Sequence, residues 1–359
     1  MGIMSAEAAV GIGSQGPTLV DPQARVIDYL RVSVTDRCNY RCSYCIPHDG
    51  VEHVDRADVL SFEEIVALVR VFVSLGVRRV RLTGGEPTAR RDLPGLVRLL
   101  RAIPGLDEIA LSSNGHLLAE LAAPLRAAGV DRVNISLDSL DAERFQRITR
   151  RGELGRVVAG IEAARASGFA SIKLNTVAIR GFNDDEFARI CDWAWARGLV
   201  PRFIEEMPMA DGRAYLPGAH MAAAEIRRRI AAAWPGTQVV ADGDGANPAR
   251  GAGPARYFRL EPDGGGARPA SPARRFGIIS PMTEHFCTTC NRLRLSTAGA
   301  LHACLAYDDA VDLRGPLHAG GPDAVARAIR GALAGKRPGH TFQLVGLGGP
   351  RKAMVQIGG

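Results

Sequence analysis

Three cysteines near the start of the chain have the spacing of ligands to a metal centre. Cys38, Cys42 and Cys45 lie in the stretch TDRCNYRCSYCIP at C-x3-C-x2-C spacing, so one short loop can turn all three thiolates inward. Structural zinc takes four protein ligands, whereas an iron–sulfur cube held by three cysteines keeps one iron open for chemistry. The motif therefore predicts a reactive cluster, with a zinc site completed by His48 or His53 as the alternative.

A second group of three cysteines lies near the other end of the chain. Cys287 and Cys290 have C-x2-C spacing, and Cys304 follows downstream. Taken alone, this pattern is equally compatible with a zinc ribbon completed by His285 or His302. Beside the first group, a second open iron–sulfur cluster that anchors a substrate becomes the favoured interpretation. With six of its seven cysteines in these two groups, the chain fits metal ligation in a reducing compartment better than a disulfide framework.

Two arginines directly follow the second cysteine group. Arg292 and Arg294 alternate with leucines, so both guanidinium groups point from one face of a predicted strand. Guanidinium forks bind phosphate oxygens bidentately. The spacing predicts a phosphate site beside the cysteines, with structural salt bridges as the alternative.

The segments that position these residues repeat a pattern of strand and helix. Alternating apolar runs predict strands at 29–34, 77–83, 108–113, 132–138, 171–177 and 200–207. Helical periodicity predicts helices at 62–74, 93–102, 117–128, 143–167 with a break near Gly152, and 185–197. The first of these follows a capping box formed by Ser61 and Glu64. Six such units predict a parallel sheet with helices outside; farther on, a helix at 221–233 and a strand at 257–260 are predicted.

Polar residues at alternate strand positions predict a cavity on the inner face of this sheet. A filled barrel would place branched apolar side chains there, because burying an unpaired polar group costs on the order of several kcal/mol. The polar residues are Arg31, Ser33, Arg81, Thr83, Ser112, Asn114, Asn134, Ser136, Asp138, Lys173 and Asn175. We expect them to surround a polar ligand, with the first cysteine loop at the C-terminal rim.

The turn Gly84-Gly85-Glu86-Pro87 follows the second predicted strand. Adjacent glycines let the backbone approach a ligand closely, and the Glu86 carboxylate can pair with an ammonium group. Taken alone, the four residues would predict only a turn.

Composition predicts an ordinary soluble protein with a large and a smaller domain. The 359 residues are 46% hydrophobic and carry a net charge of +7, which fits either nucleic acid or a polyanionic substrate. Aromatic residues, at 6%, are too few to favour nucleic-acid binding. We expect a flexible extension at 1–23, a core barrel at 24–235 and a C-terminal region at 236–359, with a Gly/Pro-rich insert at 241–275. No signal peptide or membrane span is predicted, so the expected location is the cytoplasm.

Several motifs together resemble one enzyme family. C-x3-C-x2-C with Tyr44 before the last cysteine resembles the signature of radical S-adenosylmethionine (SAM) enzymes. FCTTCNRLR with LHACL downstream, VRLTGGEP, VNISLDSLD, IKLNTV, RFIEEMP and the terminal Gly358-Gly359 narrow the resemblance. From about residue 28 to residue 359, the chain resembles the GTP 3′,8-cyclase family, known as molybdenum cofactor biosynthesis protein A.

The resemblance implies both a fold and a reaction. The implied fold is a partial TIM-type (β/α)6 barrel with a smaller C-terminal α+β region that carries the second cluster. The implied reaction, that of a lyase, cyclises GTP to (8S)-3′,8-cyclo-7,8-dihydroguanosine 5′-triphosphate, early in molybdenum cofactor biosynthesis. A 5′-deoxyadenosyl radical from SAM would remove the C3′ hydrogen, and the C3′ radical would attack C8 of guanine.

The resemblance also implies roles for individual residues. Cys38, Cys42 and Cys45 would bind one 4Fe–4S cluster, and Cys287, Cys290 and Cys304 a second one that contacts guanine. Positions matching SAM-binding residues are Tyr44, Gly85, Glu86, Ser136 and Met207. Positions matching GTP-binding residues are Arg31, Arg81, Ser112, Lys173, Arg292, Leu293 and Arg294. No side chain is expected to act as a catalytic acid or base; Arg292, Arg294 and the tail Gly358 and Gly359 would support the radical reaction.

Partners follow from the same resemblance. We expect a low-potential electron donor of the flavodoxin or ferredoxin type, and cyclic pyranopterin monophosphate synthase as the downstream enzyme. Neither nucleic acid nor a membrane is an expected partner, and a monomer or a homodimer is compatible with the sequence. Two alternative functions remain: a peptide-modifying radical SAM enzyme with an auxiliary cluster, and a basic zinc protein that binds nucleic acid.

Overall fold

The computed structural model describes residues 18–216, 218–242, 253–263 and 274–358. Residues 1–17 of the predicted extension, most of the insert at 241–275 and the terminal Gly359 lie outside these ranges.

Twelve strands form one sheet. The strands are β1 Tyr29–Ser33, β2 Arg79–Thr83, β3 Glu108–Ser113, β4 Arg132–Ser136, β5 Ser171–Ala178, β6 Val200–Glu205, β7 Thr237–Ala241, β8 Ala255–Pro262, β9 Arg275–Ile279, β10 Arg292–Leu295, β11 Ala300–His302 and β12 Val311–Asp312. Their order across the sheet is β12-β11-β10-β1-β2-β3-β4-β5-β6-β9-β8-β7. β1 to β6 are parallel neighbours in chain order, which confirms the six predicted strands and the parallel core.

Eight helices accompany the sheet in the described part of the chain. They are α1 Phe62–Ser74, α2 Leu93–Arg101, α3 Leu118–Ala128, α4 Ala142–Thr149, α5 Leu154–Ala166, α6 Phe187–Trp195, α7 Ala223–Ala232 and α8 Arg314–Ala334. The break predicted near Gly152 separates α4 from α5. Helix α8 was not predicted, because glycine and proline punctuate its sequence; its backbone leaves helical geometry at Gly321, just before Pro322.

The C-terminal strands extend the parallel core at both edges. β10 pairs in parallel with β1, and β9 pairs in parallel with β6. The second cysteine group directly precedes β10, while the first cysteine loop follows β1. Because the two strands are parallel, the second group lies at the N-terminal ends of the strands and the first loop at their C-terminal ends. The two groups therefore lie at opposite ends of the barrel, an arrangement that the sequence did not predict. The division into regions 24–235 and 236–359 stays a prediction.

Apolar side chains on the outer face pack against the helices. Val32, Leu82, Leu111, Ile135 and Leu174 are fully buried in one hydrophobic core. Because strand side chains alternate between faces, the polar residues between them point into the barrel. Burial of the outer face thus stabilises the sheet that carries the polar inner face.

Helix α1 is held at its N-terminus by the predicted capping box. Ser61 Oγ accepts from Glu64 N at 3.1 Å, and Glu64 Oε2 accepts from Ser61 N at 2.7 Å. Glu64 Oε1 also accepts from Arg314 Nε at 2.8 Å and bonds His318 Nε2 at 2.7 Å, both on α8. Partial burial opposes the shift, but these hydrogen bonds lower the pKa of Glu64 to about 2.

Glu64→Gln is expected to lower the free energy of unfolding by about 1–2 kcal/mol near neutral pH, because it weakens the cap and the tie to α8. A carboxyl group whose pKa is lowered on folding stabilises the protein above its unfolded pKa of about 4.3, and this contribution disappears as the pH falls toward the folded pKa. Urea unfolding at both ends of this pH range measures the difference in the free energy of unfolding between Glu64→Gln and the parent. This difference should be smaller at low pH. Glu63→Gln, on the exposed side of the same turn, is the control. If the difference between Glu64→Gln and the parent were the same at both pH values, the stabilising role of the Glu64 carboxylate would be contradicted.

Candidate active site

The polar inner face lines one large cavity of about 370 Å³. Its lining includes Cys38, Cys42, Cys45, Cys287, Cys290 and Cys304, the six cysteines of both groups. It also includes Tyr44, Gly85, Glu86, Ser136, Met207, Arg31, Arg81, Ser112, Arg292 and Arg294. Two distant cysteine motifs and most of the predicted ligand-binding residues thus share one space.

The first cysteine loop is a tight turn that offers hydrogen bonds to sulfur. Cys45 N donates to Cys42 O at 3.0 Å, which closes the turn. Tyr40 N donates to Cys38 Sγ at 3.4 Å, and Asn114 Nδ2 lies 3.9 Å from the same sulfur. Burial, followed by the charge of Glu86, raises the pKa of the Cys38 thiol to about 11, and burial raises that of Cys45 to about 12. Buried thiols of this kind become thiolates when a positive centre replaces the proton.

The second cysteine group lies in a cationic environment. Arg292 Nη2 is 3.7 Å from Cys290 Sγ, and Lys336 Nζ is 3.9 Å from it. Although burial opposes it, the charges of Arg292 and Lys336 lower the pKa of Cys290 to about 7. Arg25 Nη1 donates to Cys287 O at 2.7 Å and so holds the loop from the other side. Neighbouring cations stabilise thiolate ligands.

The donor sets fit iron–sulfur clusters. Each group supplies three cysteines that are free of disulfide bonds. Across the residues that the structure describes, no three His, Cys, Asp or Glu side chains converge on a position for a single metal ion. A cluster bound through three separate irons does not need such convergence. Of the alternative zinc ligands, His53 bonds to Asp36 and His285 to His340.

The Gly-Gly-Glu-Pro turn packs on the backbone of the first cysteine loop. Gly85 N donates to Thr35 O at 2.7 Å, and Glu86 N donates to Arg37 O at 2.8 Å. A Cβ at Gly85 would lie 2.3 Å from Arg37 O, closer than real contacts allow. Glycine is therefore required for the two loops to meet.

The Glu86 carboxylate is buried and saturated by donors of its own chain. Oε1 accepts from Thr88 N at 3.0 Å and from Ser113 Oγ at 2.8 Å, and Oε2 accepts from Asn114 N at 2.6 Å. Burial raises its pKa even though these bonds oppose the shift. The carboxylate therefore joins the turn to the end of β3.

Gly85→Ala is expected to lower the free energy of unfolding by about 1–3 kcal/mol, because the added methyl group collides with a carbonyl oxygen. It should also displace the cysteine loop and reduce the iron bound there. Urea unfolding and iron analysis measure the two effects. Gly155→Ala on α5 is the control, since nothing lies within 4 Å of a Cβ at that position; equal behaviour of both variants would contradict the close packing.

Three arginines lie side by side across neighbouring strands. The register places Arg31 opposite Arg294 on one side and opposite Arg81 on the other. Burial, followed by the charge of Arg294, lowers the pKa of Arg31 well below its usual value. Burial and the charge of Arg292 lower the pKa of Arg294 to about 10. Such crowded like charges favour binding of an anion.

The C-terminal tail enters this cluster of arginines. Gly358 O accepts from Arg294 Nη1 at 2.7 Å and from Arg31 Nε at 3.3 Å. A Cβ at Gly358 would lie 3.3 Å from Ser33 Cβ, and its φ of +73° favours glycine. Gly358 thus orients two of the cations, while Gly359 lies outside the described residues.

Two family models match consecutive parts of this chain, and similar curated proteins have one name in common. A Radical SAM superfamily model matches residues 32–194, and a Molybdenum Cofactor Synthesis C model matches residues 200–342. The chain is 44% identical to "GTP 3′,8-cyclase" of Rhodopseudomonas palustris (strain TIE-1), over 90% of each chain. It is 45% identical to "GTP 3′,8-cyclase" of Moorella thermoacetica, over 94% of this chain and 99% of the relative.

The chain belongs to the GTP 3′,8-cyclase family of radical SAM proteins. This confirms the family resemblance that the cysteine and glycine motifs predicted. The comparisons favour it over the two alternatives, a peptide-modifying radical SAM enzyme and a zinc protein that binds nucleic acid. Membership of the radical SAM superfamily implies an iron–sulfur cluster and SAM as cofactors.

Solved structures resemble this family member more distantly. Streptococcus suis SuiB bound to S-adenosylmethionine matches with a TM-score of 0.47 and 14% identity, over 59% of this chain and 45% of that chain. Coproporphyrinogen III oxidase (HemN) from Escherichia coli matches with a TM-score of 0.44 and 18% identity, over 59% of this chain and 54% of that chain. Separately, among the described residues no helix has the length and apolar character needed to cross a membrane.

Arg202 on β6 lines the cavity of this family member but was missed in the sequence. Its side chain is buried, and Nε donates to Asn175 Oδ1 at 2.9 Å. The alternation within β6 places Arg202 on the face that also carries Glu206, so the strand pattern contained the signal. Arg202 adds a further cation to those predicted.

Two residues predicted to bind GTP lie outside the lining of the large cavity. Lys173 lines a smaller neighbouring cavity. The Leu293 side chain is fully buried in the hydrophobic core, on the face opposite to Arg292 and Arg294. Any contact between Leu293 and GTP would therefore come from its backbone.

Proposed function

We propose that this chain cyclises GTP to (8S)-3′,8-cyclo-7,8-dihydroguanosine 5′-triphosphate in molybdenum cofactor biosynthesis. The observation that carries the proposal is the single cavity lined by both cysteine groups and by four buried or partly buried arginines, Arg31, Arg81, Arg292 and Arg294. Family membership supports the same substrate, since curated relatives over most of the chain are named GTP 3′,8-cyclase.

The cysteines hold the clusters in this proposal. Cys38, Cys42 and Cys45 bind a 4Fe–4S cluster with one open iron for SAM, and Cys287, Cys290 and Cys304 bind a second 4Fe–4S cluster. When bound, the first cluster and SAM would supply a 5′-deoxyadenosyl radical, which takes the C3′ hydrogen of GTP and leaves as 5′-deoxyadenosine. C3′ can then bond to C8, and one electron from the reductant and one proton would complete the cyclised nucleotide. The hydrogen bonds to Cys38 and the cations beside Cys290 support thiolate ligation at both places.

Residues at the C-terminal ends of the strands hold SAM. Tyr44, Gly85, Glu86, Ser136 and Met207 all line the cavity close to the first cysteine loop. Tyr44 Oη donates to Asp138 Oδ2 at 2.7 Å, which fixes the aromatic ring beside Cys45. These residues orient the cofactor, and Glu86 does so by anchoring the turn that carries Gly85.

The arginine cluster holds the triphosphate. Arg31, Arg81 and Arg294 form one row, with Arg202 and Arg292 nearby, and a polyanion relieves their mutual repulsion. Arg81 Nη1 also lies 3.4 Å from Ser112 Oγ, which adds a hydroxyl group to the same wall. Fixing the phosphates in this way keeps the ribose in one orientation, and such positioning lowers the barrier of the reaction.

The family assignment also supports partners outside the chain. A flavodoxin- or ferredoxin-type protein supplies low-potential electrons, and cyclic pyranopterin monophosphate synthase consumes the cyclised nucleotide. Cytoplasmic location fits the oxygen-sensitive clusters.

Anaerobic reconstitution with iron and sulfide tests the proposal. Formation of 5′-deoxyadenosine from SAM under strong reductant is measured in three reactions, one with GTP added, one with ATP added and one without a nucleotide. We expect stimulation by GTP alone, together with consumption of GTP. Cleavage of SAM that ignores GTP would refute the substrate, and binding of zinc without assembly of a cluster would refute the cofactors.

A further inference from the structure

A buried lysine, Lys336, joins the two segments that carry the second cysteine group. The first two cysteines of this group precede β10, whereas Cys304 follows β11, so the three sulfurs come from two separate segments. Lys336 Nζ donates to Arg292 O at 3.1 Å on the first segment and to Ala303 O on the second. One ammonium group thus bridges the backbone beside Cys290 and the backbone beside Cys304.

The end of helix α8 fixes the position of this lysine. Leu333, in the last turn of the helix, is buried in the hydrophobic core, and Lys336 N donates to Leu333 O at 2.9 Å. The residues that follow are also held, because Arg25 donates to Arg337 O at 2.8 Å and to Pro338 O at 3.3 Å. The backbone is therefore held on both sides of the lysine.

Lys336 is buried without an acidic partner. It is only 4% exposed, and besides the two carbonyl oxygens its ammonium group contacts Cys290 Sγ at 3.9 Å. In the part of the chain that the structure describes, no carboxylate pairs with it. Burial lowers the pKa of Lys336, and the charges of Cys290 and Cys304 oppose this shift.

A buried ammonium group needs a counter-charge. Lysine is rarely buried unless it is paired, because removing a charge from water without a partner is costly. Three thiolates at the second cysteine group bring negative charge to this place. A cluster held there would therefore supply the partner that the lysine lacks.

We propose that Lys336 is a positioning residue for the second cluster, which clamps the segment of Cys304 to the segment of Cys287 and Cys290 and balances the charge of the thiolates. This inference rests on the proposed function, which places a cluster on these cysteines. Charge and hydrogen bonds around the sulfurs set the reduction potential of an iron–sulfur cluster. A nearby cation stabilises the reduced, more negative state, so Lys336 raises the potential of the second cluster.

The test uses Lys336→Met in the full-length protein that also carries Cys42→Ala, so that the second cluster is observed by itself. Methionine has a similar length but neither donates a hydrogen bond nor carries a charge. We expect the second cluster to bind iron about tenfold more weakly than in the Cys42→Ala parent, measured by competition with a chelator. Its reduction potential, measured by a redox titration monitored by electron paramagnetic resonance, should be lower.

Lys336→Gln separates the clamp from the charge, because its amide group can donate to a carbonyl oxygen but is neutral. We expect it to recover part of the iron affinity while the reduction potential stays low. It also provides the same two measurements if Lys336→Met does not fold.

Arg337→Gln is the matched control, since it removes one positive charge at the neighbouring position. The Arg337 side chain is 51% exposed and pairs with Asp309 at 2.7 Å, so iron affinity and potential should both stay at the parent values. Unchanged iron affinity and potential in the Lys336 variants, or equal changes in Arg337→Gln, would overturn the inference. Failure of the Cys42→Ala parent to assemble any cluster would instead refute the proposed function.

Discussion

Cys42→Ala is expected to abolish SAM cleavage, whereas Cys290→Ala is expected to keep some cleavage but lose its stimulation by GTP. Both sulfurs line the same cavity, but they belong to different groups. Loss of an outer-sphere partner of a metal site lowers metal affinity or activity roughly 10- to 100-fold. Loss of a direct ligand at Cys42 should therefore lower the rate of SAM cleavage by at least about 100-fold. Each variant should bind about half the iron of the parent protein.

Cys191→Ala is the matched control for these two variants. Cys191 is fully buried on α6, far in sequence from both groups. Iron content and formation of 5′-deoxyadenosine with and without GTP should match those of the parent. If Cys290→Ala retained full iron and full GTP stimulation, the second cluster would be refuted.

Arg294→Ala is expected to weaken GTP binding by about 30-fold or more, because removing one member of a buried charged contact costs about 2–5 kcal/mol. Arg294 lies between Arg31 and His302 in the sheet and donates to the tail at Gly358. Its loss removes a phosphate-binding fork and also the contact that orders the tail. Calorimetry with GTP measures the effect.

Arg294→Lys keeps the positive charge but lacks the two-pronged guanidinium group. Its affinity for GTP should therefore lie between those of the parent and Arg294→Ala. Arg98→Ala on α2 is the control, since the Arg98 side chain is 63% exposed and lies 3.9 Å from Asp92. The first cluster should assemble normally in all three variants. Unchanged GTP affinity in Arg294→Ala, or loss of the first cluster, would contradict the assignment.

Local patterns in the sequence were sufficient for the parallel core. Alternation of apolar and polar residues depends only on neighbouring positions, so the strands from Tyr29 to Glu205 were predicted within a few residues of their observed ends. The same alternation predicted that Arg31, Arg81 and Ser112 line a polar cavity. The cysteine spacings pointed to the chemistry because ligands within one loop are close whatever the rest of the fold does.

Contacts between distant segments could not be predicted in this way. The pairing of β10 with β1 joins Arg294 to Arg31 across 263 residues of sequence, and no local pattern encodes that register. Gly277 on β9 lies opposite both Arg202 and Tyr257, and a Cβ there would lie 2.9 Å from Arg202 Cγ and 3.1 Å from Tyr257 Cε1. The sequence shows Gly277 only as one glycine between apolar neighbours. Lys173 was predicted to line the large cavity, but it lines the smaller one, together with Tyr257 of β8.

GTP carrying deuterium at C3′ offers the most direct test of the central claim, that this cavity holds the ribose of GTP against the adenosyl carbon of SAM. The reconstituted protein would be incubated with SAM, reductant and this nucleotide, and both products would be analysed by mass spectrometry. We expect deuterium to move into 5′-deoxyadenosine and the nucleotide product to be isomeric with GTP. Unlabelled 5′-deoxyadenosine, with GTP recovered unchanged, would contradict the account.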